Sequence, residues 1–311
     1  MIEFAGQVAL VTGAGHGLGR AHALELARRR AAVVVNDIGK DPAGASTARA
    51  VAEEIVAAGG RAAANLSSIA DPEGAEAMVA EAIAEFGRLD ILVNNAGVSH
   101  FAWFEDLTLE DFDALHAVHL RGAMVATRAA YRHMIGRGYG RIVFTVSGSG
   151  LFGRRHGGAY STAKMGLVGL MNAVALEGEA HGVLANGVAP TAATGIAGAN
   201  PAVISDLMRN ASLALSPWSD PAFVSPLVAY LASSACKVNR CLYSAVAGRY
   251  ARVFISAGEG WLSPSAEPPS ADEIAERFEQ IHRAEVRLTP GSIDEEIDDV
   301  ARRRGAAAAG E

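Results

Sequence analysis

The sequence predicts an α/β protein with a doubly wound parallel sheet, which forms a single domain followed by a helical C-terminal extension. Two observations lead to this prediction. Short β-branched apolar runs alternate with longer alanine-rich segments, which is the pattern of successive βαβ units. A glycine-rich turn, Thr12 to Gly19, joins the first apolar run to the first helical segment, at the place where doubly wound sheets bind phosphate groups.

The elements follow in order along the chain. The predicted strands are Val8–Val11, Ala32–Val35, Ala62–Ala64, Ile91–Val93, Ile142–Thr145, Val183–Gly187 and Leu242–Val246. The predicted helices between them are Leu18–Arg30, Ala43–Ala58, Pro72–Phe86, Leu109–Ile135 and Ala159–His181. Right-handed crossovers would place these helices on both faces of the sheet.

The second half of the chain departs from this alternation. Residues 195–234 contain several prolines and two short helical segments, which predict a lid over the sheet; packing on the sheet edge is the alternative. The main domain is predicted to span residues 1–262, with a further strand at 249–255. Residues 263–311 are predicted to form a helical extension, with a helix at 271–284 and a disordered alanine- and glycine-rich tail.

Composition limits the possible partners. The chain has 311 residues, half of them apolar, and a net charge of −7, which argues against nucleic acid or an anionic membrane surface. No apolar run is long enough to predict a membrane span, and no signal peptide is visible after Met1. The two cysteines, Cys236 and Cys241, have no metal-ligand spacing and predict no disulfide framework. We therefore expect a cytoplasmic protein without a metal site.

Tyr160 and Lys164 are the first candidate catalytic pair. In a helix this i,i+4 spacing projects both side chains from one face. A neighbouring cation favours the phenolate, so a tyrosine with a pKa of about 10 could act as a base nearer neutrality. The alternative is an ordinary solvated pair. Lysine is rare in this sequence and occurs only at positions 40, 164 and 237. Because most basic positions are arginine, Lys164 is less expected to be a surface residue without a specific role.

The glycine-rich turn has the pattern T-G-x-x-x-G-x-G, which allows a tight turn and close approach of the backbone to a pyrophosphate at a helix N-terminus. The alternative is a simple turn. The candidate cofactor-binding residues of this loop are Gly13, Gly15, His16, Gly17, Leu18 and Gly19.

Two further segments lie at the predicted carboxyl ends of strands. Asp37 follows the second strand, where a carboxylate can accept hydrogen bonds from the adenosine ribose and repel a 2′-phosphate, so NAD is favoured over NADP. Its alternative role is to cap the next turn. Asn94, Ala96 and Gly97 follow the fourth strand, where the amides can tie the strand end to the neighbouring loop and Gly97 leaves room for a ribose.

Taken together, four ordered motifs resemble the short-chain dehydrogenase/reductase family, whose members have a Rossmann-type fold. They are Thr12–Gly19, Asn94–Gly97, Ser147, and Tyr160 with Lys164, and the resemblance covers about residues 4–260. It implies a nicotinamide dinucleotide cofactor and a homo-oligomer, either a dimer or a tetramer.

The resemblance also implies roles for single residues. Tyr160 would be the general acid/base, Ser147 would orient the substrate oxygen, and Lys164 would hold the nicotinamide ribose and depress the tyrosine pKa. Pro190 and Thr194 resemble the family's Pro-Gly-x-x-Thr segment, whose threonine reaches the nicotinamide carboxamide.

The sequence leaves two alternatives open, the identity of the catalytic serine and the role of His119. Ser149 is the rival of Ser147, but Ser147 has the family's usual spacing of thirteen residues before the tyrosine. His119 stands where the family's catalytic tetrad usually has asparagine. An imidazole could take part in a proton relay, or it could be a buried structural histidine.

A narrower resemblance concerns the substrate. Val33–Gly39, Val118–Gly122, Ala247-Gly248 and Gly260-Trp261 are similar to the (3R)-hydroxyacyl-CoA dehydrogenase domains of type 2 multifunctional enzymes, also known as 17β-hydroxysteroid dehydrogenases type 4. This implies oxidation of a (3R)-hydroxyacyl-CoA, or of a hydroxysteroid or another hydrophobic alcohol. A nucleotide-binding protein without turnover is the alternative of another class.

Overall fold

A computed structural model of the chain describes residues 1–192, 214–290 and 292–309. The chain forms two compact units, Met1–Arg252 and Val253–Glu311. No helix in these described ranges combines the length and apolar character needed to cross a bilayer.

The first unit is organised on an eight-stranded sheet. Its strands are β1 (Val8–Thr12), β2 (Ala32–Asn36), β3 (Arg61–Asn65), β4 (Ile91–Asn94), β5 (Gly140–Thr145), β6 (Val183–Thr191), β7 (Leu242–Val246) and β8 (Arg249–Val253). Their order is β3-β2-β1-β4-β5-β6-β7-β8, and β1 to β7 pair in parallel. The strand order reverses between β1 and β4, which opens a crevice at their carboxyl ends. The predicted doubly wound fold class is confirmed.

Helices cover both faces because the central strands are apolar on both sides. β1, β2 and β5 are buried at every residue, as expected of a parallel sheet between helical layers. The described helices of this unit are α1 (Gly17–Arg28), α2 (Thr47–Ala57), α3 (Pro72–Phe86), α4 (Leu109–His116), α5 (Ala123–Arg137), α6 (Gly148–Phe152), α7 (Gly158–Gly178) and α8 (Ser225–Ala232).

The structure corrects two predicted elements. The single helix predicted for Leu109–Ile135 is interrupted by a π-helical segment, Ala117–Gly122, between α4 and α5. Such a widened turn changes the direction of the side chains it carries, and sequence periodicity does not reveal it. The further strand predicted at 249–255 is shorter, and follows β7 across a two-residue turn in which Ala247 and Gly248 both have positive φ.

The second unit contains a small antiparallel pair and two helices. β9 (Ala257–Gly258) pairs with β10 (Val286–Leu288), and Ser270 caps α9 (Ala271–Ile281). The final helix, α10, runs through Ile293–Ala309, and the disordered tail stays a prediction. Alanine has the highest helix propensity, which favours helix in this tail. The domain boundary at residue 262 remains a prediction.

Candidate active site

The loops after β1 and β4 are tied together at the point where the strand order reverses. The Oγ1 of Thr12 accepts hydrogen bonds from the backbone N–H groups of Asn95 and Ala96, both at 3.0 Å. The Asn95 amide in turn donates to the carbonyl oxygens of Thr12 and Gly13, at 3.0 and 3.1 Å. Thr12 and Asn95 were not among the candidate site residues, although both stand inside the two motifs. They fix the glycine-rich turn against the neighbouring loop.

Close packing explains why two positions of the turn, Gly13 and Gly19, have no room for a side chain. A Cβ atom on Gly13 would lie 2.7 Å from the Cα of Ala96, and one on Gly19 would overlap the carbonyl oxygen of Gly13. Gly13 and Gly17 also have φ values of 63° and 54°, in the left-handed region that favours glycine. Leu18, which follows, packs against the core. The sequence therefore folds this turn tightly onto the end of β4.

The N-terminus of α1 is open to an acceptor. His16 is its N-cap residue, and its side chain makes no capping hydrogen bond within the described residues. By contrast, the side chains of Ser46, Asp71 and Thr108 cap α2, α3 and α4. The first N–H groups of α1 can therefore bind a phosphate group.

Asp37 lies beside this turn, and it also caps the next one. It is 7% exposed. One carboxylate oxygen accepts a 2.8 Å hydrogen bond from the Gly15 N–H, and the other accepts a 2.7 Å bond from the Gly39 N–H. The Nδ1 of His16 lies 3.5 Å from the first oxygen. The carboxylate is thus held at the edge of the predicted adenosine site.

Asn94 binds α5, whereas Asn95 binds the glycine-rich turn. Its Nδ2 donates a 2.8 Å hydrogen bond to Thr127 of α5, which anchors the end of β4. Its Oδ1 is buried and has no hydrogen-bond partner among the described residues. A buried acceptor without a partner is uncommon and is a position where a water or ligand donor fits.

Ser147, Tyr160 and Lys164 meet at the carboxyl end of β5. Ser147 caps α6, where its Oγ accepts the Ser149 N–H at 3.1 Å, and its hydroxyl lies close enough to Tyr160 to lower the pKa of that phenol. Tyr160 and Lys164 share one face of α7, with Nζ 5.7 Å from the phenol ring centroid. The Nζ of Lys164 donates a 2.7 Å hydrogen bond to the carbonyl oxygen of Thr145.

Burial dominates the electrostatics of this cluster. It raises the pKa of Tyr160 above its usual value, while the Ser147 hydrogen bond and the charge of Arg154 lower that pKa. Burial also lowers the pKa of Lys164 to about 7. The depression of the tyrosine pKa by Lys164 stays a prediction; in the chain alone this lysine is itself desolvated and bonded to Thr145.

His119 lies on the π-helical segment and contacts two parts of the site. It is 1% exposed, its Nε2 lies 2.7 Å from the Val98 carbonyl oxygen and 3.1 Å from the Val98 nitrogen, and its ring meets Tyr160 edge-on with centroids 5.2 Å apart. Its Nδ1 has no hydrogen-bond partner among the described residues. Burial, and next the charge of Lys164, lower its pKa to about 3. The imidazole is therefore neutral at physiological pH.

Phe101 is a second aromatic neighbour of Tyr160, and further aromatic and basic side chains stack in the same loops. The Phe101 ring lies 5.7 Å from the Tyr160 ring, and the Arg154 guanidinium lies 4.1 Å above Phe101. Trp103 meets the ring of His156 edge-on at 4.0 Å. Phe101 and His156 were not among the candidate residues, because nothing in the local sequence links these two loops.

These observations can now be compared with known proteins. Residues 7–200 match the family described as short chain dehydrogenase. The chain belongs to this family. It is accordingly an oxidoreductase of the short-chain dehydrogenase/reductase type that acts on CH–OH groups, and its fold indicates a nicotinamide dinucleotide cofactor, NAD or NADP.

Three relatives illustrate the similarity. The chain is 41% identical over 251 residues to the peroxisomal multifunctional enzyme type 2 of Mus musculus, covering 79% of this chain and 32% of that enzyme. The full-length structure of the enzyme of the same name from Drosophila melanogaster matches with a TM-score of 0.79 at 31% identity, covering 98% of this chain and 50% of that one. A short chain dehydrogenase from Mycobacterium avium matches with a TM-score of 0.77 at 34% identity, covering 92% of this chain and 98% of that one. The chain thus spans half or less of the two multifunctional enzymes.

The residues present fit the dinucleotide cofactor of this family. The uncapped start of α1, the tightly folded glycine turn and Asn94 all lie at the carboxyl ends of β1 and β4, and Asp37 directly follows β2. The Oδ1 of Asn94 has no hydrogen-bond partner among the described residues. Pro190 lies near the end of β6, which reaches the same edge. Thr194 lies outside the described residues.

Only one end of the predicted lid, residues 195–234, is described. From Ser225 onward it forms α8, whose Val228 and Leu231 are buried in the core. The Oγ of Ser225 lies 2.9 Å from the Nδ1 of His22 on α1. This end therefore packs in the core against α1 and β5. The lid stays a prediction, and residues 195–213 lie outside the described residues.

Proposed function

We propose that this chain is an NAD-dependent dehydrogenase that interconverts a (3R)-hydroxyacyl-CoA and the corresponding 3-ketoacyl-CoA. The grouping of Ser147 and Tyr160 beside the buried Lys164, at the carboxyl end of β5, carries the proposal. It sets a hydroxyl donor and a proton acceptor side by side where a secondary alcohol could bind both. The resemblance to type 2 multifunctional enzymes supports the acyl-CoA substrate.

Each residue of the cluster has a proposed part in the reaction. Tyr160 takes the proton of the substrate hydroxyl, and Ser147 donates a hydrogen bond to the same oxygen as negative charge develops on it. Lys164 binds the ribose of the cofactor. His119 supports the phenol ring from the side and, being neutral, adds no positive charge that would repel a cationic nicotinamide ring. A bound nicotinamide dinucleotide supplies the hydride acceptor for alcohol oxidation.

We propose NAD rather than NADP as the cofactor. Asp37 is buried with both oxygens bound to backbone N–H groups, so its carboxylate cannot turn away from the adenosine ribose. A fixed negative charge there repels a 2′-phosphate. We propose that the residues holding the cofactor are Gly13, Gly15, His16, Gly17, Leu18, Gly19, Asp37, Asn94, Ala96, Gly97, Tyr160, Lys164, Pro190 and Thr194.

A hydroxysteroid or another hydrophobic alcohol is the second candidate substrate. Two large apolar side chains near the site favour it, because Trp103 and Phe152 are 55% and 75% exposed. Such surface suits an apolar ligand without phosphate groups. Arg155 is exposed and could contact the phosphates of coenzyme A instead.

Location and assembly complete the proposal. We propose a cytoplasmic protein that forms a homodimer or homotetramer through α5 and α7. Exposed apolar side chains on these helices support the interface; they are Met124, Met165 and Leu176.

The experiment is a substrate panel assayed by NADH formation, with the Tyr160→Phe variant as the control. We expect turnover of (3R)-hydroxyacyl-CoAs by the unchanged chain and a loss of about 10³-fold or more in the variant, which should still bind NADH. Turnover confined to hydroxysteroids would replace the acyl-CoA proposal with the second candidate. Binding of NADH without turnover of any substrate would instead indicate a nucleotide-binding protein without catalytic activity.

A further inference from the structure

A fixed positive charge lies one aromatic ring away from Tyr160. Arg154 belongs to the loop between α6 and α7, and its guanidinium carbon is 4.1 Å from the centroid of the Phe101 ring. The Phe101 ring is itself 5.7 Å from the Tyr160 ring, at an interplanar angle of 55°. The Phe101 ring therefore packs against both the guanidinium and the phenol ring.

This guanidinium stacks on an aromatic ring, which leaves its charge in place. Arg154 is half-buried, and the described residues offer it no acidic partner. A cation on an aromatic face is restrained without losing its charge, because the attraction comes from the ring quadrupole. Arg155, the next residue, is exposed.

The other titratable groups around Tyr160 do not supply such a charge. Lys164, on the same helix, points its ammonium at the Thr145 carbonyl, and burial lowers its pKa to about 7. His119, on the π-helical segment, has a pKa lowered to about 3 and is neutral. Ser147, at the start of α6, contributes an uncharged hydroxyl. Of these neighbours, Arg154 alone is cationic throughout the working pH range.

We propose that Arg154 is a positioning residue for Tyr160: stacked on Phe101, its guanidinium stabilises the phenolate form that accepts the substrate proton. This inference rests on the proposed role of Tyr160 as the base. The same charge lowers the pKa of Tyr160 in the chain, against the larger opposite effect of burial. It assigns to Arg154 the electrostatic role that the family resemblance implies for Lys164.

Four variants test the inference: Arg154→Gln removes the charge, Arg154→Lys keeps it, Phe101→Leu removes the stacking ring, and Arg61→Gln is the matched control. Arg61 also stacks on an aromatic ring, with its guanidinium carbon 5.2 Å from the centroid of Phe86, but it is exposed on the edge strand β3. The first measurement is the ionisation of Tyr160 without substrate, from the tyrosinate absorbance of each variant minus that of the same variant carrying Tyr160→Phe. The second is the acidic limb of the pH profile of kcat/KM with a (3R)-hydroxyacyl-CoA.

We expect the ionisation midpoint to rise by about 0.5 to 1 unit in Arg154→Gln, and both measurements to move together. Arg154→Lys should keep the midpoint close to that of the wild type, Phe101→Leu should give part of the shift, and Arg61→Gln should give none. An unchanged midpoint in Arg154→Gln, or an equal shift in Arg61→Gln, would overturn the proposal. If no substrate is turned over but the phenol midpoint still shifts, the proposed function fails while the electrostatic coupling stands.

Discussion

The ammonium of Lys164 donates a 2.7 Å hydrogen bond to the carbonyl oxygen of Thr145, and the lysine is only 3% exposed. A buried ammonium is costly unless paired with a carboxylate, and a single carbonyl offsets only part of that cost. The chain therefore keeps a destabilising group at the centre of its candidate active site.

Replacing Lys164 should lower the activity and raise the stability of the protein. We expect Lys164→Met to lower kcat/KM by at least about 10²-fold, and to raise the free energy of unfolding by about 1–2 kcal/mol. Burial lowers the pKa of Lys164 in the folded chain from its ordinary 10.5 to about 7, so the free energy of unfolding of the wild type rises as the pH rises between these two values. The amount by which the free energy of unfolding of Lys164→Met exceeds that of the wild type should therefore shrink above pH 7.

Urea unfolding at pH 6, 8 and 10 measures this effect. Lys237→Met is the control, because the Nζ of Lys237 also donates to a backbone carbonyl, that of Ser234 at 3.0 Å, but on the surface. A Lys164→Met variant that is less stable than the wild type at pH 6 would contradict the prediction.

Gly97 should not tolerate a methyl group. A Cβ atom on Gly97 would overlap the imidazole of His119, whereas one on Gly136 of α5 would meet nothing within 4 Å. We expect Gly97→Ala to destabilise the fold by about 1–3 kcal/mol, and Gly136→Ala to stabilise it by about 0.5–1 kcal/mol.

A double-mutant cycle with His119→Ala checks the cause of the Gly97 effect. Removing the ring should relieve most of the cost of Gly97→Ala, so the two substitutions should couple by more than about 0.5 kcal/mol. Additive effects would show that the methyl group is rejected by something other than His119.

His22 should make the fold sensitive to acid. It is 1% exposed and bonds to Ser225, and burial lowers its pKa from 6.5 to about 3. Folding therefore excludes a proton that the unfolded chain binds, so stability is complete above pH 6.5 and declines as pH falls toward 3. The loss approaches about 1.4 kcal/mol per pH unit inside this window.

The His22→Asn variant removes this titration and should lose less stability than the wild type between pH 6.5 and 4. Guanidinium unfolding curves at several pH values provide the measurement. His181→Asn, at an exposed histidine, serves as the control and should follow the wild type. Parallel acid dependence in His22→Asn and the wild type would refute the assignment.

Asp37 should select the cofactor. Asp37→Asn removes the charge but keeps one oxygen that can accept the Gly15 or the Gly39 N–H. We expect the ratio of kcat/KM for NADP to that for NAD to rise about tenfold or more, because the repulsion of a 2′-phosphate is lost. The control is Asp41→Asn, an exposed aspartate that also accepts backbone N–H groups in a turn. An unchanged ratio would show that Asp37 only caps its turn.

Sequence periodicity was a good guide to the sheet and a weaker guide to the helices. The buried strands β1, β2 and β5 appear as short apolar runs, because both of their faces pack against helices. The π-helical segment before α5 could not be predicted, because one widened turn leaves the apolar spacing of a helix almost unchanged.

By itself, the sequence determined the parts of the site that depend on local spacing. The glycine turn, the carboxylate at the end of β2, and the Tyr160–Lys164 pair are each encoded within one element, so period and position suffice to find them.

Only the tertiary structure decided how those parts act on one another. Phe101 and Arg154 come from two loops far apart in the chain, yet they stack beside Tyr160, while Lys164 is turned toward Thr145. Whether Lys164 or Arg154 stabilises the phenolate of Tyr160 depends on burial and on through-space distance. Neither of these can be read from residue order, because the approach of separate loops sets both.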